Sequence, residues 1–208
     1  MERPCGKREL NRQRRRASIV AVATRYFLDH GYAATSMSAI ADEIGGSKAT
    51  LWNHFSSKEE LFIAVLDELV TVFSEAIESA LRDDHFTLEG LRHFCARFLE
   101  KLLQPDAVGL FRVILGDGEQ FPEVNAMFYA RGPAKLMPRL VSFFATRFAP
   151  DEAARLALLT IATLNGFRVH VLTRPNPIRP GELEQFVDDF IAHLRLPAYE
   201  ASHEGAPG

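Results

Sequence analysis

The chain has 208 residues, 47% hydrophobic and 25% charged, which is enough apolar material for a sizeable core and excludes wholesale disorder. Its two cysteines, Cys5 and Cys95, are too few and too far apart for a disulfide framework or a cysteine zinc site, and no run of 18 uninterrupted apolar residues marks a membrane span. The net charge of −3 is unevenly spread: residues 1–58 hold ten Lys/Arg against five Asp/Glu, and residues 59–208 hold fourteen against twenty-two. A basic head on an acidic body is the layout of a polyanion-binding module, and equally of a basic tail that merely solvates. The Arg-rich start carries no apolar stretch of signal-peptide length, so a cytoplasmic location is expected.

Strand signals are scarce, and the apolar residues recur at helical spacing throughout, so an all-α fold of about nine helices is expected. After a basic leader over residues 1–12, a first helix runs from near Arg12 to just before Gly31, with Ile19, Ala23 and Phe27 along one face. A short second helix follows, on the i, i+3, i+4, i+7 spacing of Met37, Ile40, Ala41 and Ile44, capped by Ser36 or Thr35 and broken by Gly45-Gly46. Ser47 offers a new N-cap for a third helix from Lys48 to Phe55, and Ser57 with Glu60 forms a capping box for a long fourth one towards Leu81. Further helices are expected at about 88–103, at 106–115 stopped by Gly116-Asp117-Gly118, from Pro122 to a break at Gly132-Pro133, at 134–148, at 151–172 and at 182–195. The tail, residues 197–208, is Ala/Gly/Pro-rich and expected to be disordered.

Two short helices joined by a glycine turn, with Ala41 where they meet and Ile40, Ile44 and Leu51 facing back, are a helix-turn-helix over about residues 36–55. Its second helix presents Lys48, Ala49, Thr50 and Asn53 outward, and small or polar side chains at a helix start allow close approach to base edges. The stretches Gly31-Tyr32-Ala33-Ala34-Thr35-Ser36-Met37, Ile40-Ala41-Asp42-Glu43-Ile44-Gly45, Ser47-Lys48-Ala49-Thr50-Leu51-Trp52-Asn53-His54-Phe55 and Ser57-Lys58-Glu59-Glu60-Leu61 together resemble the DNA-binding domain of the TetR family of transcriptional regulators, over roughly residues 13–73. Phe111 to Pro122 and Arg131-Gly132-Pro133 are similar to the C-terminal domain of that family's AefR-like branch.

The resemblance implies that Thr35 and Ser36 hold a DNA phosphate, that Lys48, Ala49, Thr50 and Asn53 face the major groove with Ser47 beside them, and that His54 and Lys58 add backbone contacts. Trp52 stands where the family usually has Tyr, and Gly46 where it usually has Val or Ile. Arg12 to Arg16 lie beside the motif and are expected on phosphates or in the minor groove.

Residues 74–196 form a larger helical body. No catalytic, phosphate-loop, dinucleotide or metal-ligand pattern occurs in it, so neither a catalytic residue, a metal nor a cofactor is expected. His93, Arg112, Asn125, Asn165, Arg168 and His170 interrupt apolar faces that carry many Phe residues, the mixture that lines a small-molecule pocket. Candidate lining residues are His93, Phe94, Phe98, Arg112, Phe128, Asn165 and His170. The last two helices are apolar over more than one face, and the resemblance implies that they pair across a two-fold axis, through Leu156, Leu159, Thr163, Gly166, Phe167, Phe186 and Phe190. The expected molecule is a homodimeric repressor released from an inverted-repeat, double-stranded DNA operator by an apolar or aromatic effector, without a membrane partner. The alternatives are a regulator without an effector and a helical enzyme that binds a small substrate in the body.

Overall fold

The structure, a computed structural model, describes residues 6–45, 48–78, 85–194 and 196, with side chains left aside over 75–78. The described residues form ten helices and no strand: α1 (Lys7–Ala34), α2 (Met37–Ile44), α3 (Lys48–His54), α4 (Lys58–Glu78), α5 (Leu88–Leu102), α6 (Pro105–Asp117), α7 (Pro122–Arg131), α8 (Pro133–Ala145), α9 (Pro150–Thr173) and α10 (Glu182–His193). Gly46, Ser47, the end of the fourth helix towards Leu81, residues 1–5 and the tail from residue 197 lie outside the described residues.

Helix α1 starts earlier than expected, at Lys7, so residues 7–12 of the expected leader are part of this helix. Nothing between Gly6 and Gly31 breaks the helix, and the Gln13 amide donates to Glu9 one turn back. The regular helix breaks at Gly31, whose φ of 86° and ψ of 170° lie in a region open to glycine almost alone. Further on, Ser57 Oγ accepts the Glu60 N–H at 3.1 Å, while the Glu60 carboxylate reaches one residue past the N-cap to the Ser56 N–H and hydroxyl, both at 2.7 Å.

The helices bury two apolar clusters. One holds Ile19, Phe27, Tyr32, Ile40, Leu51, Phe55, Phe62 and Leu66 of α1–α4, and continues into Leu110 and Val113 of α6 and Val124 of α7. The other joins α5, α8, α9 and α10 through residues such as Leu91, Phe94, Phe144, Leu164 and Val187. Helices α6 and α7, part of the body in sequence, thus share the head's core; Leu110 and Val113 recur at helical spacing on the face of α6 that meets α1.

Helix α9 is long and apolar enough to cross a membrane by length and composition, with a mean hydropathy of 1.4 over an 18-residue window. In the fold it packs against α8 and α5, and Ala153, Leu156, Ala157, Thr160 and Leu164 are buried. At its end the Arg174 guanidinium grips Glu182 at the start of α10, with Nη2 to Oε2 at 3.0 Å. Arg174 and the Arg179 backbone N–H hold the Glu182 carboxyl down at about 2. A lowered carboxyl pKa contributes stability above the ordinary carboxylate range, and the contribution is lost as the pH falls towards 2. Glu182→Gln is therefore expected to lower the melting temperature at pH 7 and to flatten its decline between pH 5 and pH 2, measured by circular dichroism.

Candidate functional site

The N-terminal motif takes its shape from two local devices. Ser36 Oγ accepts the Ala39 N–H at 3.2 Å and starts α2; Gly45, at φ 66°, ends it and donates to the Asp42 carbonyl at 3.3 Å. Leu51 and Phe55 are sunk into the core, which leaves Lys48, Ala49, Trp52 and Asn53 on the outer face of α3 and Thr50 at its edge. Trp52 is 49% exposed, a large aromatic standing free among polar and small neighbours. His54 sits at the end of this face. Partial burial first, and then Arg12, Arg15 and Arg16 of α1, lower its pKa below the ordinary histidine value. The Arg16 guanidinium lies 4.8 Å from the Phe55 ring centroid and ties the two helices together. The outer face of α3 thus runs directly into a cationic edge on α1.

Two residues expected on a DNA phosphate are placed otherwise. Thr35 is 3% exposed, and its hydroxyl faces the Gly31 carbonyl at 2.7 Å and the Tyr26 carbonyl at 3.1 Å, so it locks the end of α1 and does not reach the surface. Lys58 turns its ammonium onto the carbonyls of Tyr32 at 2.6 Å, Thr35 at 3.0 Å and Ala33 at 3.4 Å, and over the Tyr32 ring at 4.3 Å. Those acceptors match its three donors, and desolvation lowers its pKa. It clamps α4 to the end of α1. The sequence pattern did not reveal this, because the partners are backbone carbonyls more than twenty residues away.

The same junction holds a residue that sequence reading took for a helix stop. Asp117, the last residue of α6, accepts the Tyr32 N–H through Oδ2 at 2.6 Å. It closes the gap at Gly31, where an added Cβ would stand 2.8 Å from the same oxygen. Only tertiary structure brings these two positions together, 85 residues apart.

A cavity of about 1460 Å³ opens between α1, α4, α5, α6, α7, α8 and α9. Phe98, Phe128 and Asn165 line it as expected, joined by Leu110, Phe111, Met137, Ile161 and Arg168. His93, Arg112 and His170 do not line it but face solvent, and Phe94 is packed in the core behind Phe98, at 5.4 Å between ring centroids. Helical spacing alone does not tell which side of an apolar helix meets a cavity and which meets the core.

Of the residues expected at a two-fold seam, Leu156 and Phe167 are core residues of the protomer, and Phe167 stacks on Phe186 at 4.0 Å. Phe186, Phe190 and Thr163 are half-buried. The exposed stripe of α9 runs through Leu158, Leu159, Ala162, Gly166 and Val169. Leu158 and Leu159 are 60% and 52% exposed, and a Cβ at Gly166 would meet nothing within 4 Å.

Comparison with known proteins agrees with this geometry. The profile of bacterial regulatory proteins of the tetR family matches residues 19–65, and that of the AefR-like transcriptional repressor C-terminal domain matches residues 89–154, together a little over half of the chain. The HTH-type transcriptional activator FasR of Mycolicibacterium smegmatis is 35% identical over 117 residues, 56% of this chain and 53% of that protein, so the match spans about half of FasR's length. A TetR-family transcriptional regulator from Mesorhizobium loti superposes with a TM-score of 0.70 at 26% identity, over 88% of this chain and 95% of the other. The flavonoid-responsive regulator FrrA superposes at 0.69 and 26% identity, over 88% and 97% of the two chains.

Proposed function

This chain belongs to the TetR family of bacterial transcriptional regulators, and on that premise we propose that it is a cytoplasmic, homodimeric repressor released from an inverted-repeat operator by a small, largely apolar effector in the cavity. The observation that carries this reading is the double duty of α6. Leu110 and Val113 belong to the head's core, Leu110, Phe111 and Ile114 line the cavity, and Asp117 is bonded to Tyr32 beside the DNA-reading motif. A ligand that displaces α6 shifts the head on its own body, and with it the spacing between two heads. Major grooves on one face of B-DNA recur every 34–36 Å, so a change of a few ångströms misaligns one of them. A differential affinity of about 2–3 kcal/mol for the two spacings weakens DNA binding about 30- to 150-fold.

Lys48, Ala49, Trp52 and Asn53 supply the base-facing surface in this reading, with Ser36, His54 and the Arg12–Arg16 edge on the backbone. The test is binding of the purified full-length protein to labelled duplex DNA from either side of its own gene. Lys48→Ala and His54→Ala are expected to weaken a sequence-specific shift with the helical circular dichroism signal unchanged. Loss of a phosphate contact reduces the slope of log affinity against log salt by about one, and loss of a base contact relaxes preference at one position. Parent-like binding by both variants would overturn the assignment of α3 as the reading helix. A relative such as FasR is named an activator; an operator lying upstream of the promoter, not over it, would favour that sign of regulation. Turnover of a bound compound would favour an enzyme instead.

A further inference from the structure

Arg168 is a cation kept almost wholly out of water, with 8% of its surface exposed, on the wall of the cavity. Its guanidinium carbon stands 3.6 Å from the centroid of the Phe111 ring. Nη2 donates to Asn165 Oδ1 at 2.7 Å, and Asn165 is held in turn by its own Nδ2 donating to the Ile161 carbonyl at 2.8 Å. The amide oxygen is thereby fixed towards the guanidinium. Nε has no hydrogen-bond partner, and among the described residues no carboxylate forms an ion pair with Arg168. Burial drives its pKa down to about 10. Arg92, Arg97, Arg131 and Arg174 of the same body each reach an Asp or Glu, whereas Arg168 reaches none and is the buried charge of the cavity wall, whose other charged residues, Arg25, Glu68, Lys101, Asp106, Lys135 and Arg139, are exposed or half-buried. Burying an uncompensated guanidinium is costly unless an anion arrives to meet it.

We propose that the effector is an amphipathic monocarboxylate whose anionic head meets Arg168 and whose apolar body lies along Phe98, Phe111, Phe128, Met137 and Ile161. This rests on the cavity being the effector site. A planar guanidinium presents its N–H donors in a fork that matches the two oxygens of one carboxylate, and stacking on Phe111 holds that plane. Arg168 is the one buried cation of the lining and balances one negative charge there; the second charge of a dianionic phosphate head would be left to cations of the lining that are exposed or half-buried.

The test compares near-isosteric probes on the full-length protein: 1-pyrenebutyrate, 1-pyrenebutanol and a pyrenebutyl phosphate, titrated by fluorescence at pH 7.5. The parent is expected to bind the carboxylate at least about tenfold more tightly than the alcohol, and more tightly than the phosphate. Arg168→Met, which keeps the unbranched stem, is expected to abolish that preference while the alcohol binds as to the parent. Equal affinity of the parent for carboxylate and alcohol overturns the anion site but leaves an apolar effector cavity standing. Tighter binding of the phosphate overturns the choice of carboxylate. Failure of all three probes to bind overturns the cavity reading together with this one. The comparison among probes on the parent decides the matter even if the variant does not fold.

Discussion

Leu159→Glu is expected to leave the protomer folded and abolish tight operator binding. Leu159 is half exposed on the outer stripe of α9 with Leu158, Ala162, Gly166 and Val169, so a carboxylate there costs the isolated chain little. If that stripe is the two-fold seam, the substitution sets two like charges near the axis, in a surface that association would strip of water. Burying an unpaired carboxylate costs several kcal/mol, enough to dissociate a dimer at micromolar concentration. Losing the second head removes the gain from divalent attachment, about 10²- to 10⁴-fold in affinity. Gly166→Leu makes a useful companion: its side chain enters open space in the protomer, so only a partner could resist it. Sedimentation velocity checks the state of association. A Leu159→Glu protein that stays dimeric would remove α9 from the seam.

Gly31→Ala should be among the most destabilising single-methyl changes in the molecule. The backbone there, at φ 86° and ψ 170°, costs a residue with a Cβ about 1–3 kcal/mol. The new methyl would also stand 2.8 Å from Asp117 Oδ2 and push away the acceptor of the Tyr32 N–H. A buried N–H left without its partner costs about another 1–3 kcal/mol. For a chain of this size the sum lowers the melting temperature by roughly 5–20 °C, measured by thermal unfolding. Asp117→Ala removes the acceptor without the strain and should show the smaller share. The double variant should then lose less than the two single losses together, because the carboxylate can be displaced only once. Full additivity would show that the two positions act independently.

Local signals carried much of the head. Ser36 caps α2 and Gly45 ends it because an N-cap hydroxyl and a left-handed glycine act within one turn of the chain. The alternation of Leu51 and Phe55 with Trp52 and Asn53 marked the buried and outer sides of α3. For Thr35 and Lys58 the family resemblance implies contacts with the DNA backbone, whereas their partners in the fold are carbonyls at the end of α1. In the body, α9 is apolar nearly all round, so the pattern did not separate Leu156, which faces the core, from Leu159, which faces out. Arg168 is visible as a charge within that apolar helix, but its burial on the cavity wall without a carboxylate partner is a property of the assembled fold. Asp117 read as part of a glycine-flanked stop, since its partner is 85 positions earlier.

The sharing of one apolar cluster between α1–α4 and α6–α7 limits how this protein can be recombined. Chimeras that graft a new reading head onto an old sensor are commonly imagined as a cut in the linker between modules. In this chain such a cut after α4 would part Phe27, Tyr32 and Phe62 from Leu110, Val113, Val124 and Phe121, which pack in the same cluster. A foreign head would meet α6 and α7 shaped for other side chains, and the excised head would carry an unroofed apolar face into water. A working transplant has to bring the matching surface of α6 and α7 with it. That surface also forms part of the cavity wall, so changing the DNA sequence that is read and changing the compound that is sensed are not independent engineering problems in this molecule.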